Sequence, residues 1–105
     1  MMIEITDAQF NDEVLKSEIP VLLDCWAPWC APCKRLAPVL EELASEYSNR
    51  LKIVKINIDD NDEVVTKFGI RSVPYLMIFR NGEAISFVPG ALPKPKLIEF
   101  IEAHI

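Results

Sequence analysis

Cysteine, histidine and glycine are all scarce in this chain: three cysteines, one histidine and three glycines stand among 105 residues. Three cysteines are too few for a disulfide-stapled secreted scaffold. A four-ligand zinc site is short of donors, because no second Cys-x-x-Cys exists and only Cys25, His104 and scattered carboxylates remain. No Gly/Ser linker, low-complexity tract or repeat breaks the chain, so its length predicts one domain over residues 1–105. No apolar run is long enough to span a bilayer. Met1-Met2-Ile3-Glu4 has no basic region ahead of an apolar core, so no secretory signal is visible and a cytoplasmic protein is expected. Basic residues are outnumbered, 11 against 16 acidic, for a net charge of −5. That balance argues against a phosphate-tracking nucleic-acid binder and against an anionic-membrane binder.

What the chain does have is apolar residues, half of the total, set in alternating helix-like and strand-like runs. Ile3–Ile5 is a short strand candidate. Thr6-Asp7-Ala8-Gln9 matches a capping box and predicts a helix through about Lys16. Ile19–Trp26 is apolar on both faces apart from Asp24, the pattern of a central strand in an α/β sheet. From about Cys33 a helix carries Leu36, Val39, Leu40, Leu43, Ala44 and Tyr47, with Pro38 inside it as a bending point. Leu51–Ile58 alternates as a strand. Asn61 is placed to cap a helix carrying Val64, Val65 and Phe68, which Gly69 ends. Tyr75–Phe79 is another apolar strand, and Asn81-Gly82 turns it into Ala84–Val88 as an antiparallel hairpin. Lys94–His104 closes the chain as a helix. The order β-α-β-α-β-α-β-β-α predicts an α/β fold, a mixed sheet with helices on both faces.

The chemistry concentrates in Trp29-Cys30-Ala31-Pro32-Cys33-Lys34, between a strand-like run and a helix-like run. A helical turn brings cysteines at this spacing within bonding reach, which predicts a dithiol that cycles with a disulfide. Cys30 at the mouth of the helix would face its unpaired N–H groups and positive dipole end, both of which favour the attacking thiolate. Cys33, one turn deeper, would attack the mixed disulfide that Cys30 forms with a substrate. Pro32 suits a first helical turn, Ala31 adds no reactive group, and Lys34 adds positive charge. A zinc half-site and a pair of inert buried cysteines are the competing readings.

Asp24 stands in an apolar strand shortly before Cys30. A buried carboxylate there is costly unless paired or protonated. It is either a proton acceptor for Cys33, through water, or a strand-end acid reaching solvent. Alternation puts Lys55 on the same strand face as Leu51 and Ile53, a poor place for an ammonium without an acid, so an Asp24–Lys55 pair or near-pair is expected. Trp29 should be partly exposed in its proline-flanked loop, whereas Trp26 should pack as part of the core.

Together these residues resemble the thioredoxin family along nearly the whole chain. The likeness is carried by Asp24-Cys25-Trp26-Ala27-Pro28-Trp29-Cys30-Ala31-Pro32-Cys33-Lys34, Ala37-Pro38, Lys55–Asp59, Phe68–Pro74, Asn81-Gly82 and Gly90-Ala91-Leu92. The resemblance implies a central mixed five-stranded sheet flanked by four helices. It implies Cys30 as nucleophile, Cys33 as resolving thiol, and Asp24 as the buried carboxylate beneath them. It implies a cis peptide at Val73-Pro74 and a substrate-binding surface of Trp29, Ala31, Pro32, Val73, Pro74 and Gly90. The backbone of Val73 would pair with an extended substrate. No metal and no bound cofactor is expected. Electrons would come from NADPH through a separate flavoprotein, thioredoxin reductase, and pass to disulfide-containing proteins, the chain acting as a monomer.

Four positions depart from the family pattern. Ala31 replaces the usual glycine, a change expected to act on redox poise. Tyr75 replaces the usual threonine and Pro89 a β-branched residue, both expected at the groove rim. Cys25 stands where a large aromatic is usual and is expected to be buried and inert. His104 is expected on the solvated surface. The main functional expectation is a protein-disulfide reductase. The alternatives are a disulfide oxidant or isomerase, and a non-catalytic binding subunit that uses the reduced fold.

Overall fold

The structure, a computed structural model, describes residues 2–105. Its elements are β1 (Ile3–Ile5), α1 (Asp7–Phe10) running on into a π-helical segment (Asn11–Leu15), β2 (Val21–Trp26), α2 (Ala31–Glu46), β3 (Lys52–Asn57), α3 (Asp62–Phe68), β4 (Tyr75–Arg80), β5 (Glu83–Pro89) and α4 (Lys94–Glu102). The five strands form one sheet in the order β1-β3-β2-β4-β5. β1, β3 and β2 are parallel, and β4 and β5 join antiparallel. This is the expected mixed five-stranded sheet with four α-helices.

Strand alternation explains how the sheet serves two cores. Val21, Leu23 and Cys25 of β2 pack with Phe10, Val64 and Phe79 on the α1/α3 side. Leu22 packs with Leu36, Leu40, Leu76, Leu97 and Ile101 on the α2/α4 side. β2 is therefore buried on both faces, and its one acid, Asp24, falls by the same alternation on the α2/α4 side.

Two local expectations were met and two were not. Asn81 and Gly82 both have positive φ, 51° and 80°, as a two-residue hairpin turn of this hand requires. Gly69 ends α3 in the left-handed conformation. Asn61, however, does not cap its own helix with its side chain. Its amide spans two other segments: Oδ1 accepts from the Asp7 N–H at 2.8 Å, and Nδ2 donates to the Asn57 carbonyl at 2.8 Å. Asp7 caps α3 instead, accepting from the N–H groups of Glu63 and Val64 at 3.1 and 3.0 Å. The start of α1 and the start of α3 thus cap each other. The helix expected through Lys16 also changes character midway, since Asn11–Leu15 is π-helical.

α2 begins earlier than expected, at Ala31, which makes Cys30 its N-cap residue. It runs unbroken through Pro38 to Glu46. Pro38 has no N–H, so the Lys34 carbonyl loses its partner one turn on. β2 leads directly into the loop before α2, and this strand-to-helix junction carries the dithiol.

Candidate active site

Cys30 and Cys33 are joined as a disulfide, with Cα atoms 5.3 Å apart. The junction builds this geometry locally. The Cys30 N–H donates to the Ala27 carbonyl at 3.1 Å, and the Lys34 N–H donates to the Cys30 carbonyl at 3.2 Å. Pro32 occupies the first turn of α2, where a missing N–H has no cost. The Cys30 Sγ accepts from the Cys33 N–H at 3.2 Å. That sulfur therefore takes the place of a capping oxygen at the positive end of a 16-residue helix. A thiolate there gains a charge-assisted hydrogen bond and the helix dipole.

The two cysteines are equally covered in this oxidised state, each 4% exposed. What separates them is their surroundings. Both pack with Ala27, against Trp26, Ile58 and Val73. Cys33 additionally lines a cavity of about 210 Å³ with Asp24, Trp26, Lys34, Ala37 and Lys55. Asp24 and Cys33 both line this space, which is large enough to hold water.

Asp24 is 3% exposed, and its Oδ1 has no hydrogen-bond partner. Burial pushes the carboxyl up to about 7, against 3.8 for the ordinary group. The Lys55 charge opposes that rise and the Glu4 charge adds to it. The reading of Asp24 as an acid that reaches solvent is thereby overturned. Of the expected pair or near-pair with Lys55, the near-pair is present: Lys55 stands next to Asp24 in sheet register and its charge acts on that carboxyl, but its ion contact is with Glu4 Oε1 at 3.9 Å. The ammonium also lies 5.1 Å from the Trp26 ring centre.

Trp29 precedes Cys30 and is 68% exposed, its indole N–H donating to Asp59 Oδ1 at 3.2 Å. Ala31 is exposed at the start of α2, and Pro32 is half-buried beside it. The Val73–Pro74 peptide is cis. Pro74 is buried, and its carbonyl accepts from the Gly90 N–H at 2.8 Å, which ties the Gly90 loop to the start of β4. Val73 is half-buried against the cysteine cluster.

Tyr75 does not reach the groove rim. Strand alternation turns it to the α1/α3 face, where it packs on that core and stacks on Phe87 with ring centres 5.5 Å apart. Pro89 is exposed and pairs with Tyr75 across the β4–β5 ladder. Cys25 is fully buried and free, and burial followed by the Asp24 charge pushes its thiol well above the ordinary range. His104 is half-buried rather than solvated, with Nδ1 2.8 Å from the Phe100 carbonyl.

Three residues of this site escaped the sequence analysis. Trp26 lines the cavity instead of merely filling core, and its indole N–H donates to Glu4 Oε2 at 2.9 Å. Glu4 itself carries no motif; only the β1–β3 register reveals it. Asp59 lies within the family-like stretch, and its contact with Trp29 crosses 30 positions of sequence.

Among the described residues no cluster of His, Cys, Asp or Glu is placed to hold a metal ion. A larger cavity, about 380 Å³ beside Thr6 and Asn61, contains no nucleophilic thiol. A cystine at a helix N-terminus, backed by a buried carboxyl and set in this mixed sheet, defines the class as a thiol–disulfide oxidoreductase.

Comparison with known proteins narrows the class. The thioredoxin family model matches residues 1–103. Thioredoxin of Haemophilus influenzae is 51% identical over 104 residues, covering 99% of this chain and 97% of that protein. Thioredoxin 1 of Nostoc sp. is 48% identical, covering 97% and 95%, and thioredoxin of Pseudomonas aeruginosa is 46% identical, covering 99% and 96%. The chain belongs to the thioredoxin family and is a protein-disulfide reductase with a Cys30–Cys33 redox centre.

Proposed function

We propose the following division of labour for disulfide reduction. In the dithiol form the Cys30 thiolate attacks a sulfur of the substrate disulfide. The substrate S–S bond breaks, one substrate thiolate leaves, and a Cys30–substrate disulfide forms. The Asp24 carboxylate then takes the Cys33 proton through water in the shared cavity. The Cys33 thiolate attacks Cys30 Sγ, the second substrate thiolate leaves, and the Cys30–Cys33 disulfide closes. Two electrons pass to the substrate, and the departing thiolates take up protons from Asp24 and solvent. Lys55 supplies positive charge beside Asp24 during the transfer.

The observation that carries this scheme is the asymmetry of the pair: Cys30 Sγ at the α2 N-terminus, Cys33 on the Asp24 cavity. Trp29, Ala31, Pro32, Val73, Pro74 and Gly90 form the substrate surface, with the Val73 backbone pairing to an extended peptide. The protein acts as a cytoplasmic monomer without metal or bound cofactor. A separate flavoprotein, thioredoxin reductase, returns electrons from NADPH to the cystine. No helix among the described residues is long and apolar enough to cross a membrane.

Trapping tests the assignment. A Cys33→Ser variant incubated with a disulfide-containing protein is expected to accumulate a covalent complex through Cys30, and Cys30→Ser none. Equal trapping by both variants would contradict the assigned order of attack.

A further inference from the structure

Glu4, Lys55 and Asp24 lie in one row across three strands. Glu4 of β1 is in register with Lys55 of β3, and Lys55 with Asp24 of β2. In-register neighbours in a parallel sheet share a face, so an ammonium stands between two carboxyl groups. The row continues into Leu76 of β4, which is fully buried and offers Asp24 no charge. The α2 groups facing the same space are Cys33 and Lys34. Cys25 adjoins Asp24 in β2 but belongs to the opposite core.

The ammonium is not shared evenly. Lys55 Nζ lies 3.9 Å from Glu4 Oε1, and no ion pair joins it to Asp24. The same Glu4 carboxylate accepts from the Trp26 indole N–H at 2.9 Å, and the Trp26 ring lies under the Lys55 ammonium. Glu4 thus holds both the cation and the aromatic wall of the cavity. Asp24 keeps an oxygen with no partner.

From this geometry we infer that Glu4 is a positioning residue for the dithiol reaction: it draws Lys55 to the outer end of the row and leaves the Asp24 carboxyl without a direct counter-ion. The consequence is chemical. A carboxylate denied its cation holds its proton to higher pH and returns it more readily. The Glu4 charge adds to this directly, since it raises the Asp24 carboxyl from about 10 Å away, two strand spacings. Glu4 would thereby set the pH at which Asp24 becomes able to accept the Cys33 proton. This catalytic consequence rests on the proton role proposed for Asp24; the hold on Lys55 does not.

The test uses Glu4→Gln, which keeps an acceptor for Trp26 and removes the charge. Asp24 is titrated by carboxyl carbon resonance in the oxidised protein, and substrate reduction is measured across the same pH range. The Asp24 midpoint is expected to fall by about half a pH unit or more in Glu4→Gln. The fall should be smaller when the change is made in a Lys55→Gln background. An unmoved midpoint, or an equal fall in both backgrounds, overturns the hold on Lys55. If the midpoint moves and the acidic limb of the rate profile moves with it, both readings stand. If the midpoint moves and the rate profile does not, the Glu4 hold stands and the proton role of Asp24 falls.

Discussion

Asp24 shows how a single residue links stability to chemistry. Its carboxyl titrates at about 7 because burial penalises the charge. Between about pH 4 and 7 the folded chain keeps a proton there that the unfolded chain releases. Stability from this group therefore declines as pH rises through that window and levels off above it. Asp24→Asn removes the ionisation, so the variant should gain stability relative to the parent as pH rises from 4 to 7, by up to about 4 kcal/mol. Chemical denaturation at pH 4, 6 and 8 measures it; a constant difference would contradict the burial argument. The same variant should slow substrate reduction around neutral pH, and a wild-type rate there would remove the proton role. Little of this environment was legible beforehand. An acid in an apolar strand near Cys30 pointed to a buried carboxyl, but its orphaned oxygen and the preference of Lys55 for Glu4 depend on a strand 20 residues upstream.

Elements were easier to read than the contacts between them. β2, α2 and the Asn81-Gly82 hairpin follow from local periodicity and turn chemistry, and their observed bounds lie within a few residues of expectation. Asn61 was misread because a capping residue looks the same whether it caps its own helix or another. The reciprocal arrangement of Asp7 and Asn61 has a measurable consequence. Asp7→Ala removes both acceptors from the Glu63 and Val64 N–H groups. It should cost about 1–2 kcal/mol in denaturant unfolding, with faster amide exchange confined to the start of α3. Unchanged stability would show that solvent replaces the cap at no loss. Tyr75 was misplaced for a related reason: its sequence position beside Pro74 suggested the groove, whereas strand alternation sends its side chain through the sheet.

At the scale of the whole molecule, the sheet order places chemistry and scaffold on separate duties. β2 is central, flanked by β3 and β4. It delivers Asp24 to one face and Cys25 to the other, and its exit sets Cys30 at the N-terminus of α2. Val73 packs against the cystine at one end of the sheet, and the Gly90 loop is tied to the neighbouring Pro74 carbonyl. Identity near 50% over almost the full length of curated thioredoxins goes with the family assignment. Ala31 is exposed at the redox centre. As a reductase, this centre gives electrons away. Equilibrating the protein with glutathione redox buffers and measuring the dithiol fraction tests it directly. A reductase requires a potential at or below the cytosolic glutathione poise of roughly −220 to −260 mV, and that is the predicted result. A value well above it, in the range of disulfide-forming oxidants, would exclude a reductase.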